Sequence, residues 1–192
     1  MNRTWLATGL AGVLLIVALL SVVLMVSSGR QSSPVDLSNA FAVMGITPAS
    51  SDAPEFSLAS LSGDVETRLR DHRGQVVFLN FWATWCAPCV AEMPAMQRLY
   101  DRYRDDGLAM IAVNVREDRA QVGQFIDRLG VSYPVALDSD GSVTGLYNVR
   151  GFPTTVIIDR EGRVMGVKLG YHDWAENATL QAFGDIMRMG SL

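Results

Sequence analysis

The sequence predicts an α/β domain in which a mixed central sheet is flanked by helices on both faces. Two runs, Gln75 to Thr84 and Leu108 to Val115, are almost continuously apolar, the pattern of strands buried on both faces. Each is followed by helical spacing, first over Val90 to Tyr100 and then at Val122, Phe125, Ile126 and Leu129. Late in the chain, Thr154–Ile158, the turn Asp159–Gly162 and Val164–Lys168 read as a hairpin. The resulting order, βαβαβ(α)ββα, demands parallel crossovers early and an antiparallel pair late, with helices on both faces of the sheet.

The N-terminus has a different character. Met1–Thr4 carries the charge of Arg3, and Trp5 to Val26 is apolar without a charge. At about 1.5 Å per residue that run crosses the roughly 30 Å hydrocarbon core of a bilayer. It reads as an uncleaved single-pass transmembrane anchor over residues 1–26; cleavage after Ser28 would use Val26 and Ser28, but no Ala-x-Ala stands there. Arg3 and Arg30 nearly balance, so orientation rests on redox logic: a tethered dithiol domain works where protein disulfides persist, on the periplasmic or exoplasmic side of the cell membrane.

Residues 27–52, rich in Ser, Pro and small side chains, read as a linker. Within them the apolar Phe41–Ile46 docks on either the domain or the membrane surface. A domain over 53–192 follows. Ala53–Leu58, a turn at Leu61–Asp64 and Val65–Leu69 form an N-terminal β-hairpin. The motif helix ends near Asp106–Gly107, and the second helix stops at Gly130. A short strand over Pro134–Leu137, a turn at Asp138–Gly141 and a short helix through Val143, Leu146 and Tyr147 lead to the late hairpin. A last helix over Thr179–Met189 places Leu180, Phe183, Ile186 and Met187 on one face.

Composition narrows the function. The net charge of −4, the pI near 5.1 and scattered arginines exclude a basic nucleic-acid footprint. The only two cysteines, Cys86 and Cys89, lie within Trp85-Cys-Ala-Pro-Cys89, where strand hands over to helix. A bridge between them closes too small a loop to staple a fold. At a helix start, free N–H groups and the dipole favour a thiolate, so Cys86 is the expected nucleophile. Cys89, one turn further in, is the expected resolving thiol. Pro88 fits the first turn, whose N–H groups lack helical acceptors, whereas Pro94 removes an interior bond. Glu92, three residues after Cys89, shares its helix face. It is either a proton acceptor for Cys89 or a solvated first-turn acid.

Ala53–Leu58, Gly74–Cys89 with Glu92-Met-Pro94, Gly151-Phe-Pro-Thr-Thr155 and Asp159–Gly162 together resemble the thioredoxin superfamily, and more narrowly its membrane-anchored TlpA/ResA-like thiol-disulfide oxidoreductases. The resemblance runs from about Ala53 to the C-terminus. It implies a thioredoxin-like fold and a redox-active Cys86/Cys89 pair. It also implies a cis bond before Pro153 that sets the Phe152 backbone beside the sulfurs, with Trp85, Phe152 and Pro153 as the substrate-facing set. Asn80 takes the place of the buried acid of ordinary thioredoxin; since Asn takes no proton, Glu92 is the remaining base. The implied substrates are protein disulfides, those of apocytochrome c or of copper-site assembly proteins, with a membrane thiol reductase as electron donor. No cofactor or metal is expected.

The competing reading is a copper chaperone on the same fold, with the thiolates as Cu(I) ligands. It wants a His or Met near the pair, and the only histidines are His72, in a charged loop, and His172, in Tyr171–Trp174. A peroxidase would want a lone cysteine, and a noncatalytic interaction module would need neither the pair nor Pro153.

Overall fold

The computed structural model describes residues 37–63 and 65–189, so the expected anchor over Trp5–Val26 lies outside the described residues. Among the described residues, no helix is long and apolar enough to cross a membrane. The chain opens with α1 (Leu37–Met44) and β1 (Thr47–Asp52), then the hairpin β2 (Ser57–Ser60) and β3 (Glu66–Arg68). There follow β4 (Val76–Trp82), α2 (Ala87–Tyr103), β5 (Leu108–Val115), α3 (Arg119–Leu129), β6 (Val135–Asp138), α4 (Ser142–Leu146), β7 (Thr154–Ile158), β8 (Arg163–Leu169) and α5 (Asn177–Met189).

Among the described residues the eight strands form one mixed sheet in the order β1-β8-β7-β4-β5-β6-β2-β3. β4, β5 and β6 are parallel neighbours, and β4 also pairs antiparallel with β7. The steps β4–α2–β5 and β5–α3–β6 advance the same way across the sheet, and right-handed crossovers then lay both helices on one face. α1 and α5 join them there, over Phe78, Trp82, Met110 and Ile157. The return from β6 to β7 runs over the opposite face, where α4 contributes Val143 beside Phe56, Leu58, Leu69, Leu79 and Phe81. Among the described residues helices do cover both faces, but unequally: α1, α2, α3 and α5 lie on one, and the short α4 on the other.

The linker expected over 27–52 needs correction. Residues 37–52 are folded: α1 buries Ala40, Phe41 and Met44 and packs against α5, and β1 pairs antiparallel with β8. Phe41–Ile46 therefore docks on the domain, which begins no later than Leu37 rather than at Ala53. All six side chains of β1 are exposed, so this strand is held by its backbone and carries no apolar alternation to betray it. Gly166 on β8 permits the approach: a Cβ there would sit 2.4 Å from Ile46 Cγ2.

Candidate active site

β4 ends at Trp82, and Ala83–Trp85 turn the chain into α2. Cys86 is the N-cap of that helix, and its Sγ accepts from the Cys89 N–H at 3.3 Å. Pro88 lies in the first turn, and the helix continues through Pro94 to Tyr103. Cys86 and Cys89 are joined in a disulfide with an S–S distance of 2.02 Å; Cys86 is 6% exposed and Cys89 1%. Cys86 is therefore the more accessible residue of the pair.

The loop before β7 lies at the same end of the sheet, because β7 pairs antiparallel with β4. The Phe152–Pro153 peptide bond is cis. Gly170 N–H donates to the Pro153 carbonyl at 2.8 Å, fastening this loop to the end of β8, and Thr154 Oγ1 donates to the Gly151 carbonyl at 2.7 Å, bracing the loop on itself. Trp85, 70% exposed, meets Phe152 edge-on with ring centroids 5.9 Å apart. Trp85, the two cysteines, Phe152 and Pro153 thus share one end of the sheet. Two clefts flank Phe152 there, of about 400 Å³ and 570 Å³. A larger cleft of about 920 Å³, between the β2–β3 hairpin and α3, lies elsewhere and shares no residue with the dithiol turn.

Glu92 is buried, not solvated. Its Oε1 accepts from Asn80 Nδ2 at 2.9 Å, and its Oε2 accepts from the His172 N–H and from Trp174 Nε1, each at 3.3 Å. Asn80 Nδ2 also donates to Thr155 Oγ1 at 3.0 Å. Burial pushes the Glu92 carboxyl up to about 7, against the opposing pull of the His172, Asn80 and Trp174 hydrogen bonds and the Lys168 charge. A carboxyl of this kind exchanges a proton near neutral pH.

A second carboxylate, Glu117, has no counterpart among the residues that the sequence singles out. At the end of β5 it accepts from the Thr84 N–H at 2.7 Å, from Asn114 Nδ2 at 2.6 Å and from Gln121 Nε2 at 3.2 Å, and also from the Thr84 hydroxyl. It straps the turn that carries Trp85 and Cys86 to the sheet. In the sequence Glu117 is one charge in a polar stretch, and only its closeness to the end of the β5 apolar run hints at a site.

Each histidine ring is engaged by a neighbour. His72 bonds Gln75, and the His172 ring bonds Thr179 while burial holds it below its ordinary value. Among the described residues no group of three or more His, Cys, Asp or Glu side chains is placed to hold a metal ion.

A mixed α/β sheet carrying a Cys-x-x-Cys disulfide at a helix N-terminus, with a cis-proline loop beside it, defines a dithiol–disulfide protein of thioredoxin-like fold. The chain belongs to the Redoxin family, whose model matches residues 48–182. Its relatives include the thiol-disulfide oxidoreductase ResA of Geobacillus kaustophilus, 46% identical over 120 residues, 62% of this chain and 68% of the relative. The ResA of Halalkalibacterium halodurans is 41% identical over 133 residues, 69% of this chain and 75% of that one. Among solved structures, a thiol:disulfide interchange protein of the thioredoxin family from Chlorobium tepidum is 26% identical with a TM-score of 0.62, covering 75% of this chain and 98% of that one. A secreted thiol-disulfide isomerase from Corynebacterium glutamicum is 25% identical with a TM-score of 0.63, covering 73% and 86%. The chain is a TlpA/ResA-like member of the thioredoxin superfamily and a thiol-disulfide oxidoreductase.

Proposed function

We propose that the chain is a membrane-anchored reductant of protein disulfides, acting on the periplasmic or exoplasmic side of the cell membrane. In the dithiol form, the Cys86 thiolate attacks one sulfur of a substrate disulfide. The substrate S–S bond breaks, a mixed disulfide forms, and one substrate thiolate leaves. Glu92 takes the proton of the Cys89 thiol, and the Cys89 thiolate then attacks Cys86 Sγ. The second substrate thiolate leaves, so the substrate gains two electrons and the pair becomes a disulfide. Trp85, Phe152 and Pro153 receive the substrate segment. A membrane thiol reductase returns the two electrons.

The observation that carries this reading is the placement of the pair on α2, with the more accessible Cys86 as cap and Cys89 one turn inside, three residues before the buried Glu92. The anchoring rests on the apolar run Trp5–Val26. The substrates taken from the ResA resemblance are disulfides of apocytochrome c or of copper-site assembly proteins.

Titration of the full chain against glutathione buffers tests the direction. A midpoint near the thioredoxin value of about −270 mV supports a reductant, and one near about −120 mV overturns it in favour of an oxidant. Cys89→Ala is expected to hold partners on Cys86 as mixed disulfides in the membrane fraction; their absence there would sink the assignment of roles.

A further inference from the structure

The two clefts beside Phe152 share a chemical bias that the dithiol mechanism does not use. The smaller is lined by Trp85, Val115, Arg116, Thr144, Val149 and Arg150, among others, and the larger by Arg150, Phe152, Pro153 and Leu169 among others. No acidic residue lines either cleft, although the chain as a whole carries a net charge of −4. Both cations are exposed, and among the described residues neither pairs with a carboxylate.

Both guanidinium groups are nevertheless held in place. Arg116 Nε donates to the Asp140 carbonyl at 3.2 Å, and Arg150 Nε donates to Asn148 Oδ1 at 3.3 Å. Each is tied through its inner nitrogen to a neutral acceptor, which leaves the outer nitrogens for a planar, two-pronged contact with a carboxylate. The backbone supports this. Arg116 (φ 58°) and Asn148 (φ 51°) are the non-glycine residues with positive φ among those described, and one supplies a guanidinium while the other holds one. Such conformations are costly for residues with a Cβ and persist where the surroundings fix them. Gly141 completes the arrangement, because a Cβ there would lie 2.4 Å from Arg116 Nε.

We propose that Arg150 and Arg116 are specificity-determining residues that select substrate segments carrying an acidic side chain within one or two residues of the disulfide cysteine. The occupant is an extended piece of a partner polypeptide, its cysteine over Cys86 and its carboxylate in a cleft beside Phe152. Apolar neighbours of that cysteine meet Trp85, Phe152 and Leu169. The inference rests on the oxidoreductase reading and names the class of substrate it prefers.

The test uses the reduced full chain in detergent and three disulfide-bonded peptides that differ only in the residue beside the cysteine: Glu, Gln or Lys. Hydroxyethyl disulfide, small and neutral, reports the exchange chemistry itself. At low ionic strength the Glu peptide is expected to be reduced about fivefold faster than the Lys peptide, and added salt to compress that ratio. The double substitution Arg116→Gln with Arg150→Gln is expected to bring the Glu-to-Lys ratio close to one, whereas Arg128→Gln on α3 keeps it. Because a ratio within each variant is read, a general loss of activity drops out. Equal rates for the Glu and Lys peptides with the wild-type chain, or a preference that survives the double substitution, overturns the proposal. Failure of the wild-type chain to reduce hydroxyethyl disulfide as well as the peptides overturns the oxidoreductase reading instead.

Discussion

Two carboxylates flank the dithiol turn, and they differ in almost every physical respect except their chemistry. Glu117 is half-buried at the end of β5 and gathers donors from Thr84, Asn114 and Gln121, with the Thr84 N–H and Asn114 as close as 2.7 and 2.6 Å. Glu92 is 1% exposed, and its contacts are longer, 2.9 to 3.3 Å, from Asn80, His172 and Trp174. The first is well solvated by the protein and serves as a strap. The second has lost water without full replacement, so its charge is costly and its proton comes and goes near neutrality. What a carboxylate does is set by how completely its surroundings replace water.

The difference can be attacked most strongly at Glu92. Glu92→Gln is expected to slow the resolving attack by Cys89 about a hundredfold at pH 8, leaving capture by Cys86 intact; stopped-flow measurement of the two thiol releases separates the steps. The variant should fold, because Asn80 can turn its amide to accept from the introduced amide NH₂, while the introduced amide oxygen keeps the two N–H donors of His172 and Trp174. A resolving step unchanged by the substitution would reduce Glu92 to a buried structural acid.

Stability against pH gives the next largest effect. The carboxyl sits at about 7 in the fold against an ordinary 4.5, so between those values the unfolded chain releases a proton that the folded one keeps. Stability is therefore fully present below pH 4.5 and falls as pH rises through 7. Denaturant titrations of the oxidised chain should show a loss of about 2 kcal/mol between about pH 5 and 8 that disappears in Glu92→Gln. A slope that survives the substitution would place the titration elsewhere.

The smallest effect is at Glu117. Glu117→Gln replaces an acceptor oxygen by a donor that faces other donors, and should cost about 1 kcal/mol of stability, read as a lower denaturation midpoint. An unchanged midpoint would show that Glu117 does not strap the turn.

These contrasts are unevenly legible in the sequence. β4, β5 and β7 announce themselves because strands buried on both faces need apolar residues at nearly every position, and the observed β7 coincides with the expected run Thr154–Ile158. The spacing of Cys89 and Glu92 places both on one helix face. The donors to Glu92 Oε2 come from His172 and Trp174, some eighty residues later, and no local pattern signals a contact made by a backbone N–H. Glu117 escapes for the same reason, since its donors are gathered by the fold and not by its neighbours in sequence alone. β1 escapes because a strand that buries no side chain leaves no periodicity, only the main-chain pairing that Gly166 admits.

The outermost strands of the sheet carry one more consequence. β1 at one end holds Pro48, exposed polar side chains and a shift of register between Pro48 and Ser51. β3 at the other is three residues long, with Glu66 and Arg68 ion-paired at 2.6 Å. A free sheet edge is a template on which further strands of the same protein can stack into aggregates. Proline, charge, brevity and irregularity make both ends poor templates, so the sheet is guarded against polymerising with copies of itself.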